Sequence, residues 1–319
     1  MKIIFFGSPS AALPALERLI QAGHSIDLVI TQPDKPSGRG RSQAPPPVKT
    51  FALDRGIRFL QPIRLRQDEH TLEVIKEIAP DIAVVVAYGQ LIPRLIIDLP
   101  RFKSINVHFS LLPKYRGAAP VQWAILKGEE KTGVTIFELN EKMDEGDILA
   151  QIETAILPRE TAGELEQRLA HLGAELLVQT LHRIDSVERR PQDHSQATYA
   201  PRLKKEDGLI DWSREALAVD RLVRAFSPWP GAFTFCRGRR LIIHAGEPLH
   251  GEKPCPAPGR IAEIRSAGPV VCCGTGSAYL IRRLQRENRR EMEAAAFLRG
   301  MPLQCGEILG SLPDYSSKI

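Results

Sequence analysis

Cysteine is scarce and badly placed for cross-linking. The 319 residues hold five, Cys236, Cys255, Cys272, Cys273 and Cys305, all in the last third. The count is odd, two are adjacent, and no Cys-x-x-Cys occurs, which excludes a disulfide framework and a zinc site by spacing. Reduced thiols in the cytoplasm are the default. No apolar run approaches the roughly 18 residues of a membrane span. The opening Met1–Gly7 is too short for a secretory signal, and Ser8-Pro9 follows where a cleavage site would stand. It reads as a first buried strand. No Gly-x-Gly-x-x-Gly follows that strand, so a dinucleotide site of the usual kind is excluded. Aromatics are only 6% of the chain, and no internal repeat is evident.

An excess of one charge sign is also missing from most of the chain. Residues 1–207 carry 27 Lys+Arg and 27 Asp+Glu, so the whole net +5 lies in 208–319, with 16 and 11. A basic appendage on a neutral body fits a polyanionic partner such as nucleic acid; a solvated arginine-rich surface fits equally. At this length two domains are expected.

What is present in the first half is alternation. Stretches at 2–6, 26–31, 81–87, 104–109 and 134–139 read as strands, that at 81–87 almost continuously apolar as a central parallel strand should be. Helical stripes separate them at 12–22, 69–79 and 121–126. The pattern predicts an α/β domain with a doubly wound, mostly parallel sheet. A long helix is expected at 161–184, capped near Thr161. Residues 186–200 are polar and read as a linker. Beyond them a helix at 213–226 precedes short strands at 232–236, 240–244, 260–265, 269–272 and 278–284, punctuated by glycine and proline, with a closing helix at 291–299. That texture predicts a small barrel. The resulting domains are 1–188, a linker 189–207, and 208–319.

The chemistry concentrates in Asn106-Val107-His108-Phe109-Ser110-Leu111-Leu112-Pro113-Lys114-Tyr115-Arg116-Gly117. Asn106 and His108 lie two apart, so on a strand both side chains share one face. They emerge at the strand's carboxyl end, where open α/β sheets bind ligands. An amide donor beside an imidazole suits a reaction that develops an oxyanion while a proton moves. Asp144, in Met143-Asp144-Glu145-Gly146-Asp147, follows the strand at 134–139. If that strand runs parallel to its neighbour, both end at one sheet edge and Asp144 reaches His108. The alternative is a turn-capping Asp144 and a packed His108.

Those residues, with Asp144-x-Gly-Asp-Ile-Leu and Val84-Val85-Val86-Ala87-Tyr88-Gly89, resemble the signatures of folate-dependent formyltransferases. Over nearly its whole length the chain is similar to the methionyl-tRNA formyltransferase branch of that family. The resemblance implies a formyltransferase domain followed by an OB-like barrel that helps hold tRNA. It implies 10-formyltetrahydrofolate as formyl donor, no metal, and methionylated initiator tRNA as acceptor. No membrane attachment or stable protein partner is implied, and the expected compartment is the cytoplasm. Asn106, His108 and Asp144 are then the catalytic candidates. Ala87, Tyr88, Gly89, Ser110, Leu111, Leu112 and Pro113 are the candidate folate contacts. The basic loop 32–41 resembles one that inserts into the tRNA acceptor end, which nominates Lys35, Arg39 and Arg41; Ser42 stands where a second base is frequent. Arg202 and Lys205 resemble a basic linker on the tRNA path. Arg282, Arg283, Arg286, Arg289 and Arg290 are expected after the last strand, either tracking phosphates or solubilising a helix start.

Overall fold

The computed structural model describes residues 1–37, 42–249 and 257–310. The first compact unit comprises residues 1–120, 131–155 and 166–201. Its opening strand β1 (Lys2–Gly7) is buried from Ile3 onward and leads into α1 (Leu13–Gln21) and β2 (Ser25–Ile30). A hairpin of β3 (Lys35–Ser37) and β4 (Ser42–Ala44) follows, then α2 (Pro47–Asp54) and the short β5 (Phe59–Leu60). Helix α3 (Glu69–Ile78) starts where the Asp68 side chain accepts from Thr71 N–H at 2.8 Å, and stops at a left-handed Ala79 followed by Pro80. Strand β6 (Ile82–Val86) is wholly buried; α4 (Arg94–Asp98) and β7 (Ser104–His108) come next.

The sheet continues through β8 (Arg116–Gly117), which stands apart, and α5 (Pro120–Lys127) to β9 (Lys131–Glu138) and β10 (Ile148–Ala155). Seven strands hydrogen-bond in the order β10-β9-β7-β6-β1-β2-β5. From β7 to β5 all neighbours are parallel. Apolar side chains on both faces of these strands are covered by helices, which is why β1 and β6 show no polar alternation. One core cluster packs Ile4, Phe6, Ile30, Val74, Ile75 and Tyr88.

The far edge departs from the sequence expectation. Strand β9 runs antiparallel to β7, with Ile105 opposite Glu138 and His108 opposite Thr135. Its carboxyl end therefore lies beside the start of β7, not beside His108. Strand β10, absent from the sequence reading, pairs antiparallel with β9. Helix α6 (Ala162–Leu181) opens with a reciprocal cap: Glu164 N–H reaches the Thr161 hydroxyl at 3.3 Å, and Thr161 N–H reaches Glu164 Oε2 at 2.9 Å. Residues 199–200 form β11 (Tyr199–Ala200), parallel to β8.

The second unit comprises residues 121–130, 156–165 and 202–319. Helix α7 (Ala216–Ala225) precedes β12 (Ala232–Cys236), β13 (Arg239–Leu249), β14 (Ile261–Arg265), β15 (Gly268–Cys272), β16 (Ala278–Arg286), β17 (Met292–Glu293) and α8 (Ala294–Gly300). The antiparallel order is β12-β13-β16-β15-β14, with β17 on β16. The segment after α8 joins the two edges: Phe235 N–H donates to Gly310 O at 2.8 Å, and Leu309 N–H donates to Gly259 O at 2.7 Å. That bridging closes the sheet into the expected OB-like barrel, around Trp212, Val219, Val223, Tyr279 and Phe297. Arg282, Arg283 and Arg286 lie within β16, earlier than expected, and two are paired: Arg282 with Glu247 at 2.5 Å and Arg283 with Glu291 at 2.9 Å. Cys236, Cys272 and Cys273 are buried, and Cys305 is exposed. Among the described residues no helix is long and apolar enough to cross a membrane.

Candidate active site

Strand β7 places Asn106 and His108 on one face by its two-residue period. Asn106 is half-buried and makes no side-chain hydrogen bond among the described residues, leaving its amide free to bind. His108 is 6% exposed and meets the edge of the Phe137 ring at 6.3 Å. Its Nε2 lies 2.9 Å from Tyr115 O. A carbonyl oxygen only accepts, so Nε2 carries a hydrogen and Nδ1 is the nitrogen left for chemistry.

Nδ1 faces Asp144 Oδ2 at 3.9 Å. The structure thus brings the two together, by a route other than the expected one. Because β9 is antiparallel, it is the connection 139–147 that folds back and returns Asp144 to His108. At 3.9 Å the carboxylate makes no direct hydrogen bond to the ring; the ring's orientation is set by Tyr115 O. The same carboxylate oxygen accepts from Gly117 N–H at 2.7 Å. Asp144 and Tyr115 are both left-handed, at φ 54° and 61°. Gly117 has φ 121°, and a Cβ there would lie 2.6 Å from Ala200 O, so only glycine permits the close pairing of β8 and β11. A Cβ on Gly146 would overlap Glu138 O.

The loop after His108 is fixed by buried polar groups. Ser110 Oγ donates to Lys114 O at 2.7 Å. The Thr135 hydroxyl, 0% exposed, donates to Ser110 O at 2.7 Å and accepts from Leu112 N–H at 3.1 Å. Gln151 Nε2 donates to Leu112 O at 2.8 Å and to Thr135 Oγ1 at 2.9 Å. The Leu112 side chain is buried against Phe137 and Ile148, while Leu111 and Pro113 are half-buried.

Ala87 and Gly89 stand exposed just after β6, the strand next to β7, with φ of 48° and 81°. Tyr88 between them turns its ring inward, edge-on to Phe6 at 5.4 Å. Burial pushes its phenol pKa well up. Its ring therefore belongs to the core, and its carbonyl accepts from Gln32 Nε2 at 3.0 Å.

Of the basic candidates, Lys35 is exposed at the root of the β3–β4 hairpin. The sequence reading treated this stretch as a loop; its two arms pair, with Lys35 opposite Ala44. Asp34 anchors the root through Gln61 Nε2 at 2.8 Å and Lys49 Nζ at 2.7 Å, and these bonds hold its carboxyl below the usual range. Arg39 and Arg41 lie outside the described residues. Arg202 and Lys205 are exposed in the second unit.

The sequence reading missed Tyr115 O, Gly117 N–H, Thr135 and Gln151. The first two are main-chain groups with no residue signature. Thr135 and Gln151 sit on β9 and β10, and their facing hydroxyl and amide become visible only once those strands pair. Among the described residues, no group of three or more His, Cys, Asp or Glu is placed to hold a metal ion.

The sequence matches a family described as formyl transferase over residues 1–181, and formyl transferase, C-terminal domain, over residues 202–302. The methionyl-tRNA formyltransferase of Citrifermentans bemidjiense is 45% identical, covering 97% of this chain and 96% of its own length. That of Acetivibrio thermocellus is 43% identical, covering 97% and 100%. Among solved structures, the N-formyltransferase of Helicobacter canadensis, in complex with folinic acid and dTDP-3-aminofucose, is similar with a TM-score of 0.65. It is 18% identical and covers 90% of this chain and 100% of that one, a likeness of fold.

Proposed function

The chain belongs to the formyl transferase family, among its methionyl-tRNA formyltransferases, and we propose that it transfers the formyl group of 10-formyltetrahydrofolate to the α-amine of methionyl initiator tRNA. The observation that carries this reading is 45% identity to a methionyl-tRNA formyltransferase across 97% of the chain, both domains included. In this reading residues 1–188 form the catalytic domain and residues 208–319 the tRNA-binding domain, joined by 189–207. A charged tRNA as substrate places the work in the cytoplasm.

An α-amine has a pKa near ~8 in model peptides, and an adjacent ester lowers it, so much of it is neutral and nucleophilic at pH 7. As it attacks, a C–N bond forms and the carbonyl pair moves onto oxygen. Collapse returns that pair, breaks the bond to the folate nitrogen, and leaves that nitrogen with the proton the amine has lost. Asn106 donates its amide N–H to the oxyanion, and His108 donates from Nδ1 when protonated. Such a donor is typically worth 10²–10³ in rate. Asp144 faces Nδ1 at 3.9 Å, near enough for its carboxylate to help accept and relay the amine proton. Its negative charge also favours the protonated imidazole that donates to the oxyanion.

Exposed main chain at Ala87 and Gly89 and the pinned loop 110–113 flank β7's carboxyl end, and this supports them as the folate contacts. Lys35, Arg39 and Arg41 supply phosphate contacts to the acceptor end, and Arg202 and Lys205 supply others along the tRNA. The test is formyl transfer from 10-formyltetrahydrofolate to methionylated initiator tRNA, with methionylated elongator tRNA alongside. Selective formylation of the initiator is the expected result. Transfer to neither, by folded protein that binds folate, refutes the reading and favours an amino-sugar nucleotide as acceptor.

A further inference from the structure

We propose that Gln192 is a positioning residue for Asp144, holding the catalytic turn 144–146 in place through two hydrogen bonds to its main chain. The proposal rests on the formyl-transfer reading for its rate measurements, and on geometry for the rest. Gln192 sits in the polar stretch after α6, a place where a glutamine is ordinarily solvated. Here it is only 5% exposed. Its Nε2 donates to Asp144 O at 2.9 Å and to Gly146 O at 2.8 Å. Its Oε1 accepts from Arg116 Nε at 3.1 Å and Nη2 at 2.7 Å. The orientation of the amide is unambiguous, because only this one gives each guanidinium N–H an acceptor and each carbonyl a donor. All four contacts use the amide to its capacity.

The position of these bonds explains their use. Asp144 is left-handed at φ 54°, a conformation that costs of order 1–3 kcal/mol and persists only where its surroundings impose it. Gln192 seizes the carbonyl of that residue and the carbonyl two residues on, bracketing the turn. Arg116, 1% exposed, holds the other end of the amide and also pairs Nη1 with Glu145 Oε1 at 3.3 Å. Its Nη2 is 3.1 Å from His194 Nδ1 as well. Residues 144, 145 and 146 are thus each tied to the Arg116–Gln192 pair. The Asp144 carboxylate then meets Gly117 N–H and faces His108, as described above. Among the described residues neither Arg116 nor Gln192 makes a hydrogen bond to His108; they act through the turn.

The experiment compares Gln192→Glu with Gln192→Ala in the full chain. Gln192→Glu keeps an acceptor for Arg116, now charged, and removes both donors to the turn. If the donors matter, kcat falls roughly 10–100-fold in both variants, with KM for either substrate within about threefold. The melting temperature of Gln192→Glu falls by a few degrees, because two buried carbonyls lose their donor while the Arg116 pairing survives. Gln192→Glu with wild-type kcat overturns the proposal, since Arg116 pairing alone then suffices. A readout independent of substrate is the 15N NMR signal pair of His108, which reports its protonation and tautomer. A pH titration of that signal that moves in Gln192→Ala, which adds no charge, supports the proposal, and one that coincides with wild type overturns it. If wild-type protein formylates no tRNA, the functional reading fails while the His108 titration still decides this one.

Discussion

Thr135→Val tests whether buried polar groups, rather than the loop's own sequence, hold residues 110–113 ready for a ligand. The substitution keeps shape and suits a strand, so β9 itself is not weakened. It deletes three hydrogen bonds at a side chain with no solvent exposure, of 2.7 Å to Ser110 O, 3.1 Å from Leu112 N and 2.9 Å from Gln151. Gln151 keeps its second bond, to Leu112 O. The Leu112 N–H and Ser110 carbonyl lose the partner described here. A buried polar group left unpaired costs roughly 1–3 kcal/mol, so the pair amounts to about 2–4 kcal/mol after some relaxation. For a unit of this size that is a fall in melting temperature of roughly 4–16 °C. The loop should also loosen, raising KM for the formyl donor about tenfold while kcat changes less. Thr135→Ser keeps the hydroxyl and serves as control. Calorimetry and steady-state kinetics with varied 10-formyltetrahydrofolate give both numbers. Thr135→Val with a melting temperature within about 1 °C of wild type and an unchanged KM would refute the reasoning.

Replacing His108 or Asn106 by alanine should lower formyl transfer by about 10²–10³-fold or more, while tRNA binding measured by filter retention survives. Loss of tRNA binding in step with turnover would count against their placement in the chemistry. Arg39→Ala should leave turnover at saturating initiator tRNA within about twofold, yet narrow the preference for initiator over elongator tRNA and flatten the salt dependence of binding. An unchanged preference removes Arg39 from recognition. Glu164→Gln tests the cap of α6. The Thr161 N–H, and then its hydroxyl, hold the Glu164 carboxyl below its ordinary range. A depressed carboxyl stabilises the fold above its unfolded pKa, about 4.3, and the gain is lost as pH falls through the lowered value. The difference in denaturant midpoint between wild type and Glu164→Gln should therefore be full at pH 7 and close below about pH 4. A difference that persists at low pH assigns it to packing.

The legible parts of this fold are those whose signal is local. Ile3–Phe6 and Ile82–Val86 are buried on both faces, so their uninterrupted apolar runs mark central strands. The shared face of Asn106 and His108 follows from strand period alone. Strand direction is not local. With an apparent helix at 121–126 between two strands, a parallel crossover was the natural expectation, and β9 instead turns back along β7. Strand β10 was missed because Ile148–Ala155 follows a turn and only its first two residues are buried, so no apolar run marks it. Asp144 does lie beside His108, but not by way of a parallel β9. What brings it back is the 139–147 connection, whose course depends on partners far along the chain.

Those partners explain why the most consequential contacts were invisible in the sequence. His108 is oriented by the carbonyl of Tyr115, and Asp144 by the N–H of Gly117, so the imidazole and the carboxylate hang from two nearby main-chain groups. That strip is itself left-handed at Tyr115 and needs glycine at 117. It is held from outside: Tyr115 N–H donates to Thr198 Oγ1 at 2.8 Å, Arg116 N–H to Thr198 O at 2.8 Å, and Ala118 N–H to Ala200 O at 2.9 Å. With Gln192 on the other side of the turn, residues 192–200 support both halves of the His108–Asp144 pair. The polar composition that makes this segment resemble a linker is what lets it work, because each of these contacts needs a hydroxyl, an amide or a free carbonyl where a core segment would offer aliphatic carbon.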